Sequence, residues 1–135
     1  MLITAVLISK NKSLEVSVET NRSVKTMSLP VKTSGQGCAV NGGELLFTAI
    51  ATCFCNDIYR EAITRNMTID AVEVTVSGQF GAVGEPCTDI LYQAKVTSPE
   101  DKDRVDELVA YVDRIAEIHN TLRRGVPVRM EVQQP

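Results

Sequence analysis

Residues 42–66 read GGELLFTAIATCFCNDIYREAITRN, and this stretch decides the fold. The run 45–55 is apolar except for two threonines. An amphipathic surface helix carries a single apolar stripe, whereas a helix that is apolar nearly all round is buried on most sides. After Glu44, at the start of the stretch, charged residues occur only from Asp57 onward, so the C-terminal end of the helix should emerge into solvent. We therefore predict a long, buried central helix with Cys53 at its middle.

Length and charge exclude several classes of protein. The uncharged run is far shorter than the ~18 residues that a membrane-spanning helix needs, so no membrane partner is expected. A chain of 135 residues is predicted to form a single domain, residues 1–135. The 14 basic and 17 acidic residues give a net charge of −3, and no basic run is present. Nucleic acid is therefore an unexpected partner.

The N-terminus and the cysteines indicate the compartment. MLITAVLIS lacks the basic residue and the cleavage site of a signal peptide, so it reads as a strand and predicts a cytoplasmic protein with reduced thiols. Four cysteines without a CxxC pair, and a single histidine, do not make a zinc site. Neither a metal nor a cofactor is expected.

Hydrophobic periodicity predicts the remaining elements. Runs that alternate polar and apolar residues, or are rich in β-branched residues, are typical of strands. A three-stranded antiparallel meander should precede the glycine-rich loop 31–43, a hairpin should follow the central helix, and one strand should close the chain. The predicted strands are Leu2–Ser9, Ser13–Thr20, Ser23–Pro30, Ile69–Phe80, Thr88–Thr97 and Val126–Val132.

A second helix is predicted to start at Ser98, which can cap it, with Pro99 in the first helical position. It should end between Asn120 and Gly125 and carry a single apolar stripe that buries Leu108, Val112 and Ile115 against the central helix. The resulting order, βββ-α-ββ-α-β, is an α+β domain with two helices on a mainly antiparallel sheet.

Two segments resemble one known family. GGELLFTAIATCF, residues 42–54, is similar to the segment of the OsmC/Ohr family in which an ELL…A…C run ends at a reactive cysteine in a long central helix. IHNTLRRGVPV, residues 118–128, is similar to the family's second segment, commonly CPVHNTL followed by a glycine and a strand. The two segments occur in the family's order, and the resemblance covers nearly the whole chain.

The resemblance implies an OsmC-like fold in an intertwined homodimer. For active members it also implies thiol-dependent reduction of organic hydroperoxides, by a peroxidatic cysteine, a nearby Arg and Glu, and a resolving cysteine. Cys53 falls on the peroxidatic position, whereas Ala116 stands at the resolving position. Gly43 occupies the position of the functional glutamate of the peroxidases, and Glu44 matches the glutamate of the ELL motif.

Three residues are candidates to support Cys53. Arg22 is the only arginine before the central helix, and the family's active-site arginine comes from the N-terminal strands. Glu44 is either a catalytic group or an acid that stabilises the first turn of the helix. His119 is either a base that lends charge to Cys53 or a structural histidine, hydrogen-bonded to a carbonyl or charged at a helix C-terminus.

The reactivity of Cys53 depends on forming a thiolate, because the thiol itself is a poor nucleophile. Burial raises the pKa of a thiol, and the helix dipole acts only within the first turn. A cation would have to reach Cys53 from elsewhere, since Arg60, on the same face, lies about 10 Å along the axis. Without such help Cys53 is a small buried hydrophobic residue.

The other cysteines are weaker candidates. Cys55 should face away from Cys53 and lie in the core, whereas Cys38 and Cys87 fall in loops or at strand edges, where either could be an exposed thiol.

Two functions remain open from the sequence. The first is a cysteine-based peroxidase centred on Cys53, which would use an organic hydroperoxide and a thiol reductant. The second is a non-catalytic OsmC-like homodimer that binds a small hydrophobic ligand beside Cys53.

Overall fold

The computed structural model describes residues 1–132, which form two compact units, Met1–Leu45 and a second unit from Leu46 onward. The element order is three strands, a long helix, two strands and two further helices. The structure therefore has the predicted α+β composition, but with three helices instead of two. Strand and helix ends differ from the predicted ones by up to a few residues.

The first unit contains an antiparallel meander of β1 (Ile3–Lys10), β2 (Ser13–Thr20) and β3 (Ser23–Met27). Two-residue turns join the strands, and both residues of each turn have positive φ, as in type I′ hairpins: Asn11 and Lys12, then Asn21 and Arg22. This turn type matches the twist of the flanking strands, and it fixes the register of both pairs.

Helix α1 (Gly42–Thr64) begins with a reciprocal cap. The Asn41 side chain accepts the Glu44 backbone N–H at 2.9 Å, and the Glu44 carboxylate accepts the Asn41 N–H at 2.7 Å. Two backbone donors that the helix itself cannot satisfy are thus paired. Glu44 therefore stabilises the start of the helix, as the structural interpretation of this residue predicted.

The buried face of α1 in this chain is a single stripe that starts at Ile50, whereas the sequence predicted burial on most sides. Ile50, Phe54, Ile58 and Ala62 are at most 2% exposed, at spacings of one turn. Arg60, Ile63 and Thr64 are exposed, as predicted for the C-terminal end of the helix, but Asp57 is an exception because it is buried at 3% exposure.

Strands β4 (Ala71–Phe80) and β5 (Cys87–Thr97) form the predicted hairpin. Its register shifts between Ser77 and Gln79, at a bulge that contains Gly78. A Cβ at Gly78 would lie 2.8 Å from the Phe47 ring, so the glycine lets that ring of α1 approach the strand closely.

Helices α2 (Lys102–Ile115) and α3 (Glu117–Arg124) replace the single second helix of the prediction. Ser98 does not cap α2, because its hydroxyl donates to the Thr68 carbonyl at 2.6 Å; the N-cap residue is Asp101, and Pro99 precedes the helix. The chain breaks at Ala116, whose ψ of 109° is extended, and α3 then starts a new N-terminus.

The core of the second unit lies between α1, α2 and the hairpin. Leu108 and Val112 are fully buried in one cluster with α1, as predicted, whereas Ile115 is only half-buried. Residues of both strands pack against this cluster: Val72, Val74, Tyr92, Ala94 and Val96.

The segment 126–132 is exposed and has no regular secondary structure, so the predicted last strand, Val126–Val132, is not found. Its alternating pattern needs a neighbouring strand to accept and donate hydrogen bonds, and no described strand pairs with it. None of the helices in residues 1–132 combines the length and the hydropathy required to cross a membrane.

Candidate active site around Cys53

Cys53 lies at the middle of α1, where its side chain is half-buried. One turn further along the helix, Asp57 shares the same face, because residues four apart are neighbours on a helix surface. The Cys53 S–H donates to Asp57 Oδ2, with 3.7 Å between sulfur and oxygen. The thiol is therefore paired with a buried carboxylate.

Arg60 holds this carboxylate from the other side. Its Nη1 donates to Asp57 Oδ1 at 2.6 Å, and its Nε donates to Glu61 at 3.2 Å. Arg60 thus acts on the thiol only through Asp57, which agrees with the expectation that it lies too far along the helix to pair with Cys53 directly.

The break at Ala116 brings a second helix to the sulfur. Because α3 starts at Glu117, the backbone N–H of Ile118 is not used within that helix, and it lowers the pKa of the Cys53 thiol. The Glu117 side chain also reaches the site, since ligand atoms of Cys53, Asp57 and Glu117 all lie within 4.8 Å of one another.

The net effect of these neighbours is to raise the pKa of the Cys53 thiol. Burial raises this pKa most; the Ile118 N–H lowers it, and the negative charges of Asp57 and Glu117 raise it further. Burial also raises the pKa of Asp57, against the opposing charge of Arg60. Cys53 is therefore a protonated thiol at neutral pH, facing a carboxylate that has become a stronger base.

Sequence reasoning missed Asp57 and the N-terminus of α3. The four-residue spacing from Cys53 was a usable signal for Asp57, but a carboxylate in the charged half of a helix is usually solvated. Nothing in the sequence around Ala116 marks a break, because neither glycine nor proline lies between Pro99 and Gly125.

The predicted supporting residues Arg22 and Glu44 both belong to the first compact unit. Arg22 occupies the turn between β2 and β3, and Glu44 completes the cap of α1. Their assignment to the chemistry of Cys53 stays a prediction.

His119 lies on α3, with its ring packed against Phe54 and Tyr92 at centroid distances of 5.6 and 4.5 Å. It is 5% exposed, and neither ring nitrogen has a hydrogen-bond partner among the described residues. The carbonyl hydrogen bond of the structural interpretation is therefore absent from the described structure. Burial lowers the pKa of His119, so the ring is neutral at pH 7 and not a cation at the helix end.

The remaining cysteines do not supply an obvious second thiol. Cys38, Cys55 and Cys87 are all half-buried, so Cys55 is not part of the fully buried core, and Cys38 and Cys87 are not fully exposed. At the usual resolving position, Ala116 is completely buried.

One apolar groove lies beside Phe54 of α1, and Cys53 is not part of its lining. It has a volume of about 500 Å³ and runs between the hairpin and α2, with Phe54, the residue after Cys53, in its wall. Val109, Ala110 and Ala94 also line it, and two carboxylates, Asp106 and Asp113, lie in the same lining.

Cys53, Asp57 and Glu117 form the one group of three cysteine, histidine or acidic side chains in residues 1–132 whose atoms are close enough to share a metal ion. A thiolate and two carboxylates can ligate a divalent cation. However, Arg60 already neutralises Asp57, so a metal would have to compete with that ion pair.

Comparison with known proteins agrees with the resemblance seen in the sequence. The family model described as "OsmC-like protein" matches residues 33–131. A search of curated protein sequences found no significant match.

Solved structures of similar fold cover most of the chain. An OsmC-like protein from Mycoplasma pneumoniae has a TM-score of 0.62 at 22% identity and covers 90% of this chain and 85% of its own. The organic hydroperoxide resistance protein OsmC of Legionella pneumophila has a TM-score of 0.57 at 20% identity, with 89% of each chain covered. OhrB of Bacillus subtilis, an organic hydroperoxide resistance protein, has a TM-score of 0.54 at 20% identity, with 96% and 98% covered. These similarities confirm the α+β fold that the sequence predicted.

Proposed function

Because the chain belongs to the family of OsmC-like proteins, we propose that it is a thiol-dependent reductase of organic hydroperoxides whose reacting group is Cys53. The hydrogen bond from the Cys53 thiol to the Asp57 carboxylate carries this proposal, because it gives the thiol a base at contact distance. The names of the Legionella and Bacillus proteins of similar fold support the same class of substrate.

In the first step Asp57 takes the proton of the Cys53 thiol, and the resulting thiolate attacks the outer oxygen of the hydroperoxide. The sulfur–oxygen bond forms as the O–O bond breaks, so sulfur is oxidised to the sulfenic acid and the peroxide is reduced. The departing alkoxide takes the proton back from Asp57 and leaves as an alcohol. The Ile118 N–H stabilises the thiolate before attack, and Arg60 keeps Asp57 oriented.

Recovery of the thiol needs an external reductant. Because Ala116 carries no sulfur, the sulfenic acid should condense with an added thiol, releasing water and forming a mixed disulfide. A second thiol then releases Cys53 and leaves as the small-molecule disulfide. A cytoplasmic location, which we also propose, would supply such thiols.

Mass spectrometry after one equivalent of cumene hydroperoxide tests the proposal. We expect Cys53 to be recovered as a sulfenate, as a more oxidised acid or, after a small thiol is added, as a mixed disulfide. The Cys53→Ser variant should remain unmodified at this position. An internal disulfide from Cys53 to Cys38 or Cys87 would contradict the one-cysteine mechanism. A Cys53 that stays reduced while a free thiol is oxidised would contradict peroxidase activity altogether.

The role of Asp57 is separable from a purely structural one by the Asp57→Asn substitution. Loss of the negative charge should lower the pKa of Cys53, because Asp57 raises it by charge and by hydrogen bonding. The rate of peroxide reduction at neutral pH should nevertheless fall, by about 10²-fold, because the base is lost. Thiolate absorbance against pH measures the first quantity, and stopped-flow oxidation measures the second.

Glu61→Gln is the matched control, since Glu61 also pairs with Arg60 but has no contact with the sulfur in the described structure. Glu61→Gln should change neither the pKa of Cys53 nor the rate of peroxide reduction appreciably. A rate in Asp57→Asn that rises along with the thiolate fraction would exclude Asp57 as the base.

The competing function, binding of a small hydrophobic ligand, is favoured by one observation. The apolar groove beside Phe54, with a volume of about 500 Å³, has room for a ligand. Saturable Nile red binding that Val109→Trp abolishes, together with a Cys53 that hydroperoxide leaves reduced, would favour the binding protein. A protein that oxidises at Cys53 and binds no neutral dye would favour the reductase.

A further inference from the structure

We infer that Glu117 makes the Cys53 site select hydroperoxides by charge, so that uncharged hydroperoxides react faster than hydroperoxides that carry a carboxylate. This inference rests on the proposed function and names the substrate class. It is carried by the position of Glu117. One of its carboxylate oxygens lies within 4.8 Å of both the Cys53 sulfur and an oxygen of the Asp57 carboxylate.

Glu117 differs from the other acid of the site in its exposure. Asp57 is buried, whereas Glu117 is exposed at the start of α3. A substrate approaching the half-buried sulfur from solvent therefore meets the Glu117 carboxylate.

The charges around the sulfur do not cancel. Arg60 is the guanidinium of the site, and it is already shared between Asp57 and Glu61. Within residues 1–132 Glu117 takes part in no ion pair. Two carboxylates, Asp57 and Glu117, thus lie beside the sulfur with one guanidinium that is already shared with Glu61, and the Ile118 N–H adds only the partial positive charge of a helix N-terminus. An anionic substrate is repelled, and an uncharged substrate is not.

The size of this discrimination follows from Coulomb's law with surface screening. A second negative charge 5–8 Å from Glu117 should slow the reaction roughly 5- to 10-fold at low salt. Because the Debye length is about 10 Å at 0.1 M and about 3 Å at 1 M salt, the discrimination should shrink as salt is added. A steric barrier would show no such dependence.

The first experiment compares cumene hydroperoxide with its 4-carboxy derivative, which differs by one charge. The wild-type protein should react with the uncharged compound roughly 5- to 10-fold faster at low ionic strength. In Glu117→Gln the ratio of the two rates should fall to about 2 or less. The ratio is the informative quantity, because a change in the thiolate fraction of Cys53 affects both rates equally and cancels.

Glu107→Gln is the matched control, since Glu107 is an exposed acid of α2 outside the site. It should keep the wild-type ratio. The same ratio in wild type and Glu117→Gln, or a ratio that salt does not change, would overturn the inference.

The second experiment separates failure of this inference from failure of the proposed function. Iodoacetamide and iodoacetate alkylate thiols by the same chemistry and differ by one charge, so they probe the site without any peroxidase activity. Fragment-ion mass spectrometry assigns the alkylation to Cys53, and the ratio of the two rates is compared with that of a free small thiol. Glu117→Gln should bring the protein's ratio to that of the free thiol.

If alkylation depends on Glu117 but neither hydroperoxide oxidises Cys53, the proposed function fails and the substrate assignment fails with it. If Cys53 is oxidised but Glu117→Gln changes the rate ratio of neither pair of reagents, the reductase proposal is supported and the charge selection is overturned.

Discussion

His119 is a buried polar residue whose ring nitrogens have no partner in the described part of the chain. Burial of a polar group without a hydrogen bond is unfavourable, and burial of its charged form is more so. The ring remains neutral because Phe54 and Tyr92 surround it with apolar surface. Asp113 and Asp57 favour its charged form and Arg123 opposes it, but burial has the largest effect on the pKa.

The lowered pKa of His119 predicts a loss of stability in mild acid. The unfolded chain binds a proton near pH 6.5, whereas the folded chain binds it only at lower pH. The contribution of His119 to the free energy of unfolding should therefore be constant well above pH 6.5 and decrease as pH falls from there towards the folded pKa, by at most about 1.4 kcal/mol per pH unit.

Urea denaturation at pH 7.5 and pH 5.5 measures this decrease. In His119→Leu the decrease should be smaller than in wild type, since the titrating group is gone while the neighbouring carboxylates remain. Equal pH dependence of the two proteins would show that the protonation of His119 is not linked to folding.

At the scale of whole elements, the break between α2 and α3 positions the site. The Ala116 N–H donates to the Val112 carbonyl at the end of α2. The Ala116 carbonyl accepts the Asn120 N–H at the start of α3. The Asn120 side chain also donates to the Arg114 carbonyl across the break. Without this break, the Ile118 N–H would be used within one continuous helix and could not reach Cys53.

The break predicts that proline is tolerated at Glu117. This residue is the first of α3, where a missing N–H does no harm, and the extended ψ of Ala116 suits a residue before proline. Glu117→Pro should change the free energy of unfolding by less than about 1 kcal/mol. It should also lower the pKa of Cys53, because a negative charge is removed.

Thr121→Pro, in the interior of α3, serves as the comparison. It should lower the free energy of unfolding by about 3 kcal/mol. Chemical denaturation of both variants measures the difference. If the two prolines were equally destabilising, residues 116–117 would not form a true helix boundary in solution.

The packing of α2 on α1 gives a second prediction at this scale. Leu108 is completely buried in the core cluster, so Leu108→Ala should cost about 2–5 kcal/mol of stability through the cavity left behind. Glu107→Ala, its exposed neighbour, should cost less than about 0.5 kcal/mol in the same denaturant titration. A loss of similar size in both variants would mean that the other face of α2 is buried.

For the molecule as a whole, the first unit leaves much apolar surface uncovered. Every residue of β1 is exposed, and Ile3, Val6, Leu7 and Ile8 are each about half accessible. Stable monomers rarely present so many adjacent large apolar side chains to water. We therefore expect a second copy of the chain to cover this sheet, in the homodimer that the sequence resemblance implied.

Sedimentation equilibrium at micromolar concentration tests the homodimer. The melting temperature should also rise with protein concentration, because only the folded state associates. Val6→Asp should weaken association, whereas Lys12→Asp, in the turn after β1, should not. A stably folded wild-type monomer at these concentrations would refute the homodimer.

The sequence by itself determined the elements that depend on local interactions. Alternating residues gave the meander and the β4–β5 hairpin, and the apolar run 45–55 gave the central helix with Cys53 at its middle. The two segments around Cys53 and His119 indicated the OsmC/Ohr family, and the family model matches residues 33–131. These features are readable because strand period, helix period and motif spacing are properties of neighbouring residues.

Only the tertiary structure decided what surrounds the thiol. The burial of Asp57, the break at Ala116 and the approach of Glu117 and Ile118 to Cys53 depend on how α3 packs against α1. The last strand, predicted from a clear alternation in 126–132, is not formed, because a strand needs a partner and none of the described strands pairs with this segment. Burial, charge and pairing are set by residues distant in sequence, so local patterns cannot specify them.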